Sequence, residues 1–251
     1  MTLLRKSDVF AELQTSILRL QGFKFSKNDS LNYGLGPIHE VFPNASFPLG
    51  AVHEFLSEQK EEAASTSGFI GGILSHLMGN SGAALWISSS RTLFPPTLKS
   101  FGLEPDRFIF VDLKKEKDVI WAMEEALKCN SLAAVVGEIR EIDFTASRRL
   151  QLAVEQSQVT GFVVRHNYRN LTTTSFVSRW KISPLPSEMI ELPGVGFPQW
   201  RVELLRIRNG KPGVWTVQWV NGKFEFQLET VRPLQVTKRL NEQITKIKQA
   251  G

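Results

Sequence analysis

Between residues 51 and 164 the chain alternates short apolar runs with helical segments of roughly ten residues, and few folds accommodate that rhythm. Residues 51–56, 83–88 (AALWIS), 108–111 (FIFV), 132–136 (LAAVV) and 161–164 (GFVV) read as strands. Residues 67–78, 95–101, 117–128 and 145–156 read as helices, the second of them opened by proline, and residues 35–42 add a short helix ahead of the first strand. Strands apolar on both faces and joined by helices mark a parallel, doubly wound sheet. Its crossovers are right-handed, and its ligand site lies at the carboxyl ends of the strands. After Asn170 the rhythm changes. Residues 176–182, 200–208, 214–220 and 224–228 are extended, and the turn signals between them are Pro184-Leu185-Pro186, Asn209-Gly210-Lys211-Pro212-Gly213 and Asn221-Gly222. The last is the strongest hairpin cue, because both central residues of the preferred turn need positive φ. Strict alternation over 200–208 puts Val202, Leu204 and Arg206 on one face and Arg201, Glu203, Leu205 and Ile207 on the other. The expected fold is α/β: a mainly parallel central sheet flanked by helices and extended by antiparallel strands at the C-terminal end.

Composition excludes several classes. Of 251 residues, 42% are hydrophobic and 22% charged, which rules out a wholly disordered chain. No apolar run approaches the ~18 residues of a membrane span, residues 1–10 lack the apolar core of a secretory signal, and the single Cys129 excludes an internal disulfide. A cytoplasmic, nucleoid-associated protein is expected. The net charge of +5 is unevenly placed: residues 201–251 hold ten Lys/Arg against four Asp/Glu, whereas the first 200 hold twenty against twenty-one. Residues 8–20 carry a helical stripe (Val9, Leu13, Ile17, Leu20), followed by a polar linker over 22–33. Residues 236–248 carry another (Val236, Leu240, Ile244, Ile247), flanked by Lys238, Arg239, Lys246 and Lys248. The expected organisation is an N-terminal helix and linker (1–33), a core (34–235) and a C-terminal helical tail (236–251). Both terminal helices are expected to contact proteins, the N-terminal one by joining copies of the chain into a homo-oligomer.

Nucleotide chemistry would sit at the first strand–helix junction, where a phosphate loop needs glycines, a lysine and a hydroxyl. The chain offers Ser67-Gly68, but Phe69 occupies the lysine position and Ile70 the Ser/Thr position, and Glu58, Glu61 and Glu62 repel phosphate. The fourth strand, which would end in an aspartate if it held magnesium, ends in Gly137-Glu138, with Glu138 read as a surface or cap residue. The four histidines show no metal-ligand spacing, and His39-Glu40 and His53-Glu54 read as coincident dipeptides. No nucleophile elbow follows a strand, so no catalytic residue, cofactor or metal is expected. Basic residues gather more pointedly. Arg148 and Arg149 lie on the helix before the fifth strand, and Arg165, His166, Arg169 and Arg179 lie around the threonine-rich stretch that follows it. Arginines at strand ends suit phosphate contacts. Surface pairing with Glu138, Glu141 and Glu155 is the alternative. Together with Lys238, Arg239, Lys246 and Lys248, these arginines are the candidate DNA or partner contacts.

Several stretches give the chain a family resemblance from Gly36 onward: Leu35-Gly36-Pro37-Ile38-His39-Glu40-Val41-Phe42, AALWIS at 83–88, Phe101-Gly102-Leu103-Glu104-Pro105-Asp106-Arg107, Trp121-Ala122-Met123-Glu124-Glu125-Ala126-Leu127, AAVVGE at 133–138, Thr145-Ala146-Ser147-Arg148-Arg149-Leu150-Gln151-Leu152-Ala153 and Ser178-Arg179-Trp180. In order and spacing they resemble the ImuA family, bacterial recombinase-like proteins of the SOS response to DNA damage. The resemblance implies a RecA-like fold. It also implies a role in translesion synthesis and mutagenesis beside a Y-family polymerase-like protein, with an error-prone replicative polymerase, a recombinase and DNA as further partners. Against the RecA core, Ser67-Gly68 resembles a remnant of the phosphate loop, Gly137 falls where a magnesium-associated aspartate belongs, and Ser88-Ser89-Ser90-Arg91 carries no water-activating glutamate. The resemblance therefore implies a non-catalytic accessory protein. An atypical ATPase and a simple DNA-binding module are the alternatives.

Overall fold

The computed structural model describes residues 34–79, 82–91, 93–187 and 196–227. The terminal helices expected over 8–20 and 236–248, with Lys238, Arg239, Lys246 and Lys248, lie outside the described residues. Two short 3-10 helices, Gly36–Val41 and Pro43–Ala45, precede β1 (Val52–Ser57), α1 (Lys60–Met78) and β2 (Ala83–Ser88). Two more, Pro95–Phe101 and Pro105–Arg107, lead into β3 (Phe108–Asp112), α2 (Glu116–Leu127), β4 (Leu132–Ile139), α3 (Phe144–Ser157) and β5 (Thr160–His166). The chain continues as β6 (Ser178–Leu185), β7 (Gln199–Ile207), β8 (Gly213–Val220) and β9 (Lys223–Phe226). One nine-stranded sheet runs in the order β3-β2-β4-β5-β1-β6-β7-β8-β9. Strands β1 to β6 are parallel, and β7, β8 and β9 continue the sheet as antiparallel neighbours. This is the α/β architecture expected from the sequence, a mainly parallel sheet extended by antiparallel strands. Among the described residues, no helix is long and apolar enough to cross a membrane.

Each face of the sheet carries its own core. One packs α1, with Phe69, and the 3-10 helices onto aromatic side chains from both halves of the sheet, among them Phe55, Trp180, Trp200, Trp219 and Phe224. The other packs Met123 of α2 and Leu150 of α3 on strand residues such as Val135 and Val163. Helix α1 approaches closely because Gly72 has no side chain: a Cβ there would lie 2.3 Å from the Phe224 ring. The β8–β9 turn is made by Asn221 and Gly222 at φ of 49° and 79°, as the dipeptide predicts.

Three local expectations are corrected. Helix α1 begins at Lys60, seven residues before the expected start, so Ser67, Gly68, Phe69 and Ile70 are helix interior and not a loop. Glu61 and Glu62 suit a helix N-terminus, and two hydroxyls bond back along the helix, Ser65 donating to Glu61 O (2.9 Å) and Ser67 to Ala63 O (3.0 Å). Strand β4 runs on to Ile139 and carries Glu138 inside at 3% exposure. Strand β7 does not alternate strictly. Its register against β6 pairs Arg179 with Arg206 and Trp180 with Leu204, which leaves Leu205 as the extra residue of a bulge. The bulge reverses the parity, so Arg206 shares a face with Arg179, and Ile207 returns to the core side.

Candidate functional site

Only Glu58 and Gln59 separate β1 from α1. A helix N-terminus attracts anions because its first amides lack partners, and here two carboxylates of the protein, Glu58 and Glu62, gather beside it. Glu62 Oε2 accepts the N–H of Glu58 at 2.7 Å, while its Oε1 lies 3.4 Å from Lys181 Nζ and accepts the Ser183 hydroxyl at 3.3 Å. Glu58 accepts the Tyr168 hydroxyl at 2.8 Å and Lys181 Nζ at 3.3 Å. Those bonds, Tyr168 first, hold the Glu58 carboxyl below the usual carboxylate range, and burial together with Glu58 pushes the Tyr168 phenol up. Phe69 and Ile70 are fully buried in the core, so neither could be exchanged for a phosphate-reaching side chain without loss of packing.

Beside this junction, at the carboxyl ends of the parallel strands, lies a cavity of about 130 Å³ lined by Ser57, Gln59, Lys60, Ser90, Glu138 and His166, among others. Glu138 accepts Trp86 Nε1–H at 2.7 Å and the Ser90 hydroxyl at 3.4 Å, and His166 Nε2 stands 3.6 Å from its Oε2. Neither His166 ring nitrogen has a hydrogen-bond partner among the described residues. The cavity is small beside the ~300–1,000 Å³ of ordinary small-molecule sites, and Glu138 faces it together with the basic residues Lys60 and Arg140. Among the described residues no three metal-ligating side chains converge.

The arginine constellation is organised by a residue that sequence reasoning passed over. Glu54, fully buried on β1, receives Arg165 Nη1 at 3.1 Å, Arg179 Nε at 2.6 Å and the Thr174 hydroxyl at 3.1 Å. Arg165 is itself fully buried; it also reaches Glu141 at 3.1 Å and the carbonyls of Arg140 and Asn170. The expectation that Arg165 and Arg179 face a ligand is therefore corrected: parallel pairing of β1 with β5 and β6 turns both guanidiniums inward onto one carboxylate. Arg169 remains exposed and donates its backbone N–H to Glu141, which with the neighbouring charges holds that carboxyl below its usual range. Arg148 lies 4.0 Å from Glu155, and Arg149 pairs with Glu124, both at the surface of α3. The dipeptide His53-Glu54 is no coincidence of composition, since both side chains are fully buried. Two adjacent polar side chains inside a strand apolar on both faces were the available signal, because such groups must be partnered when buried.

No protein-family model matches the chain. The protein ImuA of Caulobacter vibrioides, found in two strains, is 35% identical over 201 residues, covering 75% of this chain and 82% of that one. Among solved structures, the crystal structure of the RadB recombinase resembles it with a TM-score of 0.49 at 14% identity, covering 72% of this chain and 92% of that one.

Proposed function

The chain belongs to the ImuA family, RecA-like accessory proteins of damage-induced mutagenesis, and on that premise we propose that it is a non-catalytic factor of translesion synthesis that binds a Y-family polymerase-like protein and DNA. The closed β1–α1 junction carries the non-catalytic reading. Beside the helix start Glu62 accepts the Glu58 N–H and faces Lys181, and Glu138 is among the residues lining the neighbouring cavity. With no phosphate anchor and no acid at Gly137, positioning and charge neutralisation, which supply nearly all of phosphoryl-transfer catalysis, have no residues to work through. Calorimetry with Mg-ATP is expected to show no binding at millimolar nucleotide. A low-micromolar dissociation constant would overturn the reading in favour of an ATPase.

Partner contact is assigned to the exposed arginines Arg148, Arg149 and Arg169 and to residues 1–33 and 236–251 flanking the core. The C-terminal segment combines an apolar stripe with the basic residues Lys238, Arg239, Lys246 and Lys248, and a stripe of thirteen residues is marginal alone in water. Deleting 236–251 is expected to leave the melting temperature nearly unchanged and to abolish co-purification with the polymerase-like protein. Co-purification at full yield after deletion rejects that assignment.

A further inference from the structure

We propose that β3 pairs antiparallel with β3 of a second copy of this chain, joining two nine-stranded sheets edge to edge into a twofold dimer. Strand β3 ends the sheet on one side, and among the described residues it pairs only with β2. Proteins protect such edges with charged residues, proline or a bulge. The opposite edge is guarded in that way, since β9 carries exposed Lys223 and Glu225. Strand β3 reads Phe108-Ile109-Phe110-Val111-Asp112 and pairs with β2 without a register shift. It leaves Ile109 at 54% and Phe110 at 36% exposure.

The backbone fixes which residues meet. Leu113 donates its N–H to Ser88 O at 2.9 Å, so the odd-numbered residues of this segment turn their amides towards β2. Alternation then points the N–H and C=O of Phe108, Phe110 and Asp112 out of the sheet. An antiparallel neighbour centred on Phe110 sets Phe110 against Phe110, and Phe108 against Asp112 of the other copy. These become the hydrogen-bonded pairs of the ladder, each exchanging two N–H···O bonds. Ile109 stands opposite Val111 of the other copy, on the face where Val111 already packs against the α2–α3 core. Phe110, which stacks on Phe108 at 5.9 Å, meets its twin on the other face. Both exposed apolar side chains thereby enter cross-strand pairs.

Charge selects the occupant and its direction. Between Glu104 and Lys115, three of the charged residues are already matched. Glu104 lies 3.6 Å from Lys99, Asp112 pairs with Arg91, and the Arg107 guanidinium is tied to the carbonyls of Met78, Gly79 and Gly82. Asp106 before the strand and Lys114 and Lys115 after it are exposed, and among the described residues they form no ion pair. An antiparallel copy brings Asp106 of each chain to the Lys114–Lys115 end of the other. A parallel copy sets like charge against like. The twofold axis makes the favourable match twice with one set of residues. This contact is separate from the one expected of residues 1–33.

The test is sedimentation velocity of the full chain over a concentration series. The natural protein is expected to show a reversible monomer–dimer equilibrium. Ile109→Lys guards the edge and is expected to weaken the dimer at least roughly tenfold. Phe110→Pro removes an outward N–H but no bond to β2, and is expected to act in the same direction. Asp106→Lys leaves only basic free charges at the two ends, and Lys114→Glu with Lys115→Glu leaves only acidic ones. Each alone is expected to weaken self-association, and mixing the two is expected to restore dimers as heterodimers. These surface changes keep the test readable if Phe110→Pro fails to fold. A natural protein that stays monomeric overturns the proposal and leaves the edge to another occupant. A dimer that survives every variant with unchanged affinity, or that is lost only on deleting residues 1–33, overturns it in favour of a contact elsewhere. Charge variants that weaken the dimer without rescuing each other overturn the antiparallel pairing.

Discussion

At the scale of single residues, Glu54 and His53 sit side by side on one strand and place opposite demands on the core. Glu54 is fully buried and surrounded by two arginines and a hydroxyl. Glu54→Gln keeps the shape but leaves Arg165 and Arg179 without their common counter-ion, and the expected loss of stability is about 3–5 kcal/mol by urea unfolding. Arg149→Ala, which breaks an exposed pair with Glu124, should cost under ~1 kcal/mol by the same measurement. His53 resolves burial the other way. Its ring lies between Ser178 Oγ (2.6 Å) and Pro48 O (2.8 Å), and burial lowers its pKa from 6.5 to about 4. Between those values the unfolded chain takes up a proton that the folded chain refuses. Stability therefore falls as pH drops from 6.5 towards 4 and is insensitive to this group above 6.5. The contribution is about 3 kcal/mol over that window. Urea midpoints of the natural protein and His53→Gln should converge as the pH falls, and a constant gap contradicts the assignment. At this scale little of the site was legible: the polar character of positions 53 and 54 was visible, but their partners arrive from Ser178, Arg165 and Arg179, more than 100 residues away.

At the scale of elements, α1 shows what periodicity could and could not carry. Its stretch from Ser67 to Met78 was legible, whereas Lys60 to Thr66 reads as loop because hydroxyl and acidic residues favour turns until a helix absorbs their hydrogen bonds. Gly72 tests how tightly that helix is seated. Alanine is worth about 1 kcal/mol more than glycine inside a helix, yet here its Cβ would lie 2.3 Å from Phe224 and 2.9 Å from Trp219. The clash outweighs the propensity, and Gly72→Ala should destabilise by about 1–3 kcal/mol in denaturant unfolding. An increase in stability would show that the β9 hairpin yields at no cost. Strand β7 gives the complementary lesson. Its length and burial were predictable, but a one-residue bulge at Leu205 inverts the facing of everything after it, and no feature of the residues 200–208 announces the insertion.

At the scale of the whole molecule, β6 belongs to two patterns at once, parallel to β1 on one side and antiparallel to β7 on the other. The sequence shows both patterns and the change of rhythm between them, so the architecture was readable; that a single strand would weld them was not. Because the aromatic core runs under both halves, the welded sheet should unfold as one unit. Tryptophan fluorescence, dominated in the extension by Trp200, Trp215 and Trp219, and far-ultraviolet dichroism, dominated by the helices of the parallel half, should give coincident denaturant transitions. Separated midpoints would show two independently stable halves.

The position of β1 in the strand order bears on how the chain is made. It is the first strand to be synthesised, and it is buried on both faces between β5 and β6. His53 must wait for Ser178, 125 residues later. At ~5–20 residues per second the ribosome needs roughly 6–25 s to deliver that partner. For that interval a sticky, unpaired segment trails from the nascent chain, and a cell producing this protein in bulk must shield it, slow its crowding, or lose part of each batch to aggregates.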